Sequence, residues 1–158
     1  MDDATLYDRV GGHAFFEQLV DSFYAGVATD DVLAPLYPEF PDFTGARHRL
    51  TLFLCQYWGG PTTYMDERGH PRLRMRHMPF HVGSLERDRW LDHMGAAIDA
   101  TCTAADVPVD VASDIAAELT AYFRPAAEHL RNDTGLPITS SQFNLIPADD
   151  ESAGERNA

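Results

Sequence analysis

The sequence contains no lysine: all twelve of its cations are arginine. An exclusion that runs the length of a chain reflects genome composition, although arginine does suit bidentate contacts to carboxylates. Positive charge is scarce altogether, with 25 acidic residues against those twelve and a net charge of −13. That excludes general binding to nucleic acid or anionic membrane, both of which call for a basic face. Only two cysteines are present, Cys55 and Cys102, and they form no CxxC pair. They point to neither a zinc site nor a thioredoxin-like motif, and read as buried thiols in a reducing compartment. No apolar run approaches a membrane span, and Met1-Asp2-Asp3 opens without an apolar signal core. No stable membrane insertion is expected, and the expected location is cytoplasmic. There is no GxGxxG run to bind a flavin or nicotinamide, and no alternating stretch long enough for a strand.

What remains is helical. At 158 residues the chain makes one domain that buries roughly two-thirds of its unfolded surface. Thr5 to Asp8 has capping-box form and opens a short first helix, which Gly11-Gly12 closes. His13 to Ala28 carries Phe16, Leu19, Val20, Phe23, Tyr24 and Val27 at the spacing of an amphipathic helix. Asp30 caps a brief turn through Leu36, and Tyr37-Pro38 ends it. Thr44 is expected to cap the next helix, with Ala46, Leu50, Phe53, Leu54 and Tyr57 on one face and Trp58-Gly59-Gly60-Pro61 as its stop. A loop then runs to Gly69. Ser84 is expected to cap a long helix patterned at Leu85, Trp90, Leu91, Met94, Ala97, Ile98 and Cys102. Val107-Pro108 begins the last helix, patterned at Ile115, Leu119, Tyr122, Ala126 and Leu130, and Pro125 is expected to kink it. The fold class is all-α. From about Asn132 to residue 158 the composition predicts a disordered tail, with docking through Phe143, Leu145 and Ile146 as the alternative.

One basic island interrupts this acidic pattern. Arg68 to His81 holds three histidines, four arginines, two prolines and two methionines. Pro79 lacks a backbone donor and biases Met78 out of the α region, so a short helix over Leu73 to His77 should end there. A histidine in that last turn, ahead of Met-Pro-Phe, suits an axial ligand to a flat metal cofactor. The plain competitor is a loop histidine without a role. A third reading makes His70, His77 and His81 a zinc cluster, but zinc wants three or four converging ligands, prolines separate these three, and no cysteine is near.

With Tyr24, Tyr37, Gln56-Tyr-Trp-Gly-Gly-Pro61, Gly69 to His77 and Glu86 to Trp90 in place, residues 5 to 131 resemble a group II truncated haemoglobin. This is the haemoglobin O-like branch common in actinobacteria. The resemblance implies a shortened globin, a 2-on-2 helical sandwich around haem b, with the glycine pairs permitting its abrupt turns. It implies His77 as proximal iron ligand, Tyr24 and Tyr37 as distal tyrosines, and Trp90 as the tryptophan of this group. Ala46 falls at the distal entrance, and Leu50, Phe53 and Leu54 on the distal face. Leu73 and Phe80 belong to the proximal segment of the haem-binding set, and Arg49 and Arg76 are the candidates for the propionates. Each aromatic has a packing competitor. Against it, a buried tyrosine hydroxyl needs a partner and an indole is a donor only. His13 and Pro125 are not family features, the long tail is absent from the family's shortest members, and Tyr37 occupies a position often filled by phenylalanine.

The function implied is binding of O₂, NO, CO or peroxide at a five-coordinate ferrous iron. Three donors should hold O₂ tightly, which fits NO dioxygenation or peroxide consumption better than storage, with an external reductase still unidentified. The alternatives are an oxygen or redox sensor, O₂ delivery to a partner, and a haem-free helical interaction module. A homodimer is compatible with all of these. Among the donors, Trp90→Phe is expected to change O₂ release more than loss of either tyrosine.

Overall fold

A computed structural model of the chain describes residues 4–132, and the segment read above as a tail lies outside them from residue 133 onward. The order is α1 (Leu6–Arg9), α2 (His13–Val27), a 3-10 turn (Ala34–Leu36), α3 (Thr44–Tyr57), α4 (Thr63–Arg68), α5 (Leu73–His77), α6 (Ser84–Ala104) and α7 (Val109–His129). No strand occurs among the described residues.

Four long helices carry the architecture. α2 packs on both α3 and α6, and α6 packs on α7, so the α2–α3 and α6–α7 pairs form the two layers. The stripe expected on α2 is the centre of the core: Phe16, Leu19, Val20, Phe23 and Val27 are fully buried, and Tyr24 nearly so. They meet Leu54 of α3, Met94 and Ile98 of α6, and Ile115 and Leu119 of α7. Burying side chains of this size contributes about 1.5–3 kcal/mol each, which is why period alone placed these helices correctly. At Gly26 a Cβ would stand 2.5 Å from His93 Nδ1, so the missing side chain lets α6 lay its histidine across α2.

The ends of the helices refine the expectations. Thr5 and Asp8 do form a capping box. The donor at the start of α3 is served by Asp42, whose Oδ1 accepts from Thr44 N–H at 2.9 Å, so Asp42 rather than Thr44 supplies the cap. At α6 the cap position is Gly83, and Glu86 accepts its N–H at 2.9 Å, so Ser84 is the first helical residue. Met78 is α-helical (φ −56, ψ −37) despite preceding Pro79, because its N–H closes a turn on the Met75 carbonyl while Phe80 N–H bonds the His77 carbonyl. The loop expected between Pro61 and Gly69 contains α4, anchored by buried Tyr64. Tyr57 and Leu85, expected on apolar faces, are 52 % and 53 % exposed, and Tyr57 keeps one side of its ring against Tyr122 of α7. Pro125 sits inside α7, which continues through it.

Candidate functional site

The two layers enclose a cavity of about 390 Å³, within the usual range of roughly 300–1,000 Å³ for small-molecule and cofactor sites. Every residue that the resemblance assigned to the haem site lines it: Tyr24, Tyr37, Ala46, Arg49, Leu50, Phe53, Leu54, Leu73, Arg76, His77, Phe80 and Trp90. α2 contributes Tyr24, the segment after the 3-10 turn Tyr37, α3 the Ala46 to Leu54 face, α5 His77, and α6 Trp90. The walls are mostly apolar, with a few polar groups gathered at particular points.

His77 is one such point. Its Nδ1 lies 2.7 Å from the Leu73 carbonyl, one helical turn back. A carbonyl can only accept, so Nδ1 carries the proton and Nε2 is left with an unprotonated lone pair. This is the tautomer and orientation that a metal-ligating imidazole requires. The chain after it is tied down by Asn132, whose side chain donates to the carbonyls of Phe80 (2.7 Å) and His77 (3.3 Å) and accepts from Val82 N–H (2.8 Å). The zinc alternative has no ligand set. Among the described residues no three or more His, Cys, Asp or Glu side chains converge on a common point, and His81 lies 3.6 Å from Glu86 instead.

The second polar point joins Tyr24, Tyr37 and Trp90. The two tyrosine rings meet edge to face at 5.6 Å. Burial, with the neighbouring Tyr37 adding to it, raises the Tyr24 hydroxyl well above the ordinary phenol range, so Tyr24 keeps its proton. Burial raises Tyr37 too, while hydrogen bonds with Tyr24 and with the Trp90 indole oppose the rise. An indole can only donate, so Trp90 donates to the Tyr37 oxygen, and the two tyrosine hydroxyls share a hydrogen bond between them.

Position here is fixed by Asp30, a buried carboxylate. Its Oδ1 accepts from the N–H groups of Val32 (2.8 Å) and Leu33 (3.1 Å), starting the turn that delivers Tyr37. It also meets Arg89 at 3.2 Å, while Oδ2 meets His93 Nε2 at 2.7 Å, both on the helix that carries Trp90. One carboxylate thus holds two of the three donors in register. Sequence reading found Asp30 as a cap but not this second tie, which has no local signature.

Of the two arginines proposed for anionic groups, Arg49 sits 3.7 Å from Glu39. Arg76 uses Nε and Nη2 on the carbonyls of Pro71 (2.6 Å), Arg68 (3.1 Å) and His70 (3.5 Å), so it braces the loop ahead of α5. Arg68 and Arg87 also border the cavity, as do Tyr64, Tyr122, Phe123 and Leu130, none of which the sequence marked as site residues. Tyr122 and Leu130 were legible only as members of the α7 stripe.

Comparison with known proteins agrees with this arrangement. Residues 5–121 match the bacterial-like globin family. The thermostable haemoglobin of the actinobacterium Thermobifida fusca is 48 % identical, superposes with a TM-score of 0.75, and covers 83 % of this chain and 99 % of its own. The oxygen-avid truncated haemoglobin of Bacillus subtilis superposes with a TM-score of 0.70 at 34 % identity, covering 82 % of this chain and all of its own. Group 2 truncated hemoglobin YjbI of Bacillus subtilis is 42 % identical over 93 residues, 59 % of this chain and 68 % of that protein. The chain belongs to the bacterial-like globins and, within them, to the group II truncated haemoglobins, which bind diatomic ligands through haem.

Proposed function

We propose that the chain holds haem b through His77 and keeps O₂ tightly at the cavity, for redox chemistry rather than storage. The residues fit the group. An apolar cavity is entered by one imidazole whose Nδ1 is already committed to a carbonyl, and that single observation carries the reading. The haem supplies reversible ligand binding and one-electron chemistry once it is bound. His77 would be its protein ligand. Leu50, Phe53, Leu54, Leu73 and Phe80 would exclude water from the ring, and Ala46 would leave the distal entrance open. Arg49 and Arg68 would serve the propionates better than Arg76, whose guanidinium is largely used on the loop.

Tyr37 is the direct hydrogen-bond donor to a bound diatomic, and Tyr24 and Trp90 aim it. A hydrogen bond to a partly charged group in a desolvated site contributes about 1.5–3 kcal/mol, or roughly 10- to 100-fold in release rate. Such retention matches the oxygen avidity named for the Bacillus subtilis neighbour, and suits NO dioxygenation or peroxide consumption with an external reductase as electron source. The test begins with hemin uptake and a Soret band. His77→Gly should then weaken haem retention and change the ferrous spectrum, with added imidazole restoring much of it. If His70→Ala or His81→Ala does this and His77→Gly does not, the ligand assignment falls. Nitrate yield from the oxygenated protein with NO, beside peroxide turnover, separates the two reactions.

A further inference from the structure

Two tyrosines have no part in the ligand chemistry above. Tyr122 of α7 lines the cavity, whereas Tyr57 of α3 lies outside the lining and is half exposed. Their ring centroids are 4.3 Å apart at 36°, the closest aromatic pair among the described residues. Trp58 flanks both, at 4.9 Å from Tyr57 and 5.1 Å from Tyr122. A single ring-to-ring step therefore separates the cavity wall from solvent. Other aromatic routes outward, from Tyr37 through Phe43 to Phe40 (5.4 and 6.2 Å), from Phe53 to Tyr57 (6.2 Å) and from Phe123 to Trp58 (5.9 Å), all use phenylalanine rings, which are far harder to oxidise.

We propose that Tyr122 and Tyr57 form a one-electron relay from the cavity to the surface, with Tyr57 as the site where small phenolic or ene-diol reductants are oxidised. The inference rests on the haem reading of the preceding subsection. Hydrogen peroxide is the oxidant: it takes up two electrons and two protons and leaves as two waters. One electron passes from Tyr57 through Tyr122, and the Tyr57 hydroxyl gives its proton to water. The second electron is drawn from the bound cofactor and the second proton from solvent. A phenolic donor then returns one electron and one proton to Tyr57 and departs as a radical; a second donor gives its electron back through Tyr57 and Tyr122 to the cofactor and its proton to solvent, and departs as a second radical.

The two hydroxyls suit these different parts. Burial, reinforced by Tyr57, pushes the Tyr122 hydroxyl up to about 12, so it keeps its proton and a hole does not settle there. Tyr57, in contact with water, has somewhere to send its proton, and the neutral radical comes to rest on it. Packing alone would be served as well by phenylalanine at either position.

The experiment uses the full chain loaded with hemin, oxidised to the ferric form and given one equivalent of hydrogen peroxide with a nitroso spin trap. Digestion and mass spectrometry locate the adduct, with yield expressed per haem and per peroxide consumed. The adduct is expected on Tyr57. Tyr57→Phe should abolish it with the Soret band intact. Tyr122→Phe should lower it several-fold, and Tyr122→Trp, which restores an oxidisable ring, should recover it. An undiminished Tyr57 adduct in Tyr122→Phe, or adducts confined to Tyr24, Tyr37 or Tyr64, would overturn the relay alone. A chain that takes up no hemin would overturn the cofactor reading, and the relay with it.

Discussion

Tyr37 is hydrogen-bonded to both Tyr24 and Trp90, so the three donors are not equivalent. On the proposed reading, removing Tyr37 removes the donor to the ligand, whereas removing Trp90 removes a bond that positions that donor. Tyr37→Phe is therefore expected to speed O₂ release by roughly 10- to 100-fold, with Trp90→Phe smaller and the double variant less than additive. Sequence alone puts Trp90 first, and the two rankings are separated by one measurement. Stopped-flow displacement of O₂ by CO supplies it, and a larger effect at Trp90 would restore the earlier order. Asp30 supports the same network from outside the cavity. Burial by itself would raise its pKa, but bonds from His93, Leu33 and Val32 and the charge of Arg89 bring it from 3.8 down to about 2. A carboxylate held down in this way stabilises the fold fully above its unfolded value, and the contribution is lost as pH falls toward 2. Asp30→Asn keeps an acceptor for the turn but loses the charge facing Arg89 and His93. Its melting temperature is expected to fall on the order of 5 °C at neutral pH. The gap from the parent should shrink as acid titrates the parent's carboxylate. A constant gap down to pH 2 would show that the charge is not what matters.

The helices differ in how openly their sequences announce them. α2 and α7 are long and periodic, and burial follows period, so their core faces were readable apart from Phe15 and Phe123, which are buried beside the expected stripes. α4 was not: Thr63–Arg68 is short, mostly polar, and folds around the single buried Tyr64. Period also fails at helix ends, because it names a face without naming what covers it. Tyr57 and Leu85 were misplaced for that reason. His77 was legible because its own turn and the proline after it are local, and Asp30 was half legible for the same reason. The turn after α3 shows a local rule meeting a distant constraint. Gly59 has φ +101, and a Cβ there would stand 2.5 Å from Thr5, the residue that caps α1. Gly59→Ala should therefore destabilise by about 2 kcal/mol or more, combining left-handed strain with a clash. Thermal unfolding tests this, and a loss of only a few tenths of a kcal/mol would mean that α1 moves aside freely.

Across the whole molecule, the proximal side is closed by the far end of the described chain. Besides the Asn132 side chain, its N–H bonds the Val82 carbonyl at 2.9 Å. Arg74 Nη1 reaches the carbonyls of His129 and Arg131, and Arg87 pairs with Glu128, drawing the end of α7 onto the histidine segment. Asn132 stands at the first position of the segment read as a tail, yet it is bonded into the globin body. Removal of residues 135–158 should leave haem retention and O₂ release unchanged, whereas a chain ending at Arg131 should lose haem faster to apomyoglobin. Equal loss from both would show that Asn132 is not what holds His77 in place. The same bracket bears on how the protein is made. Val82 and Asn132 lie 50 positions apart in sequence, and at ribosomal rates of about 5–20 residues per second that distance takes roughly 3–10 s to synthesise. Throughout that interval the nascent histidine segment lacks its clamp. On the haem reading, capture of the prosthetic group is expected late in biogenesis, once the last turn of α7 has left the ribosome.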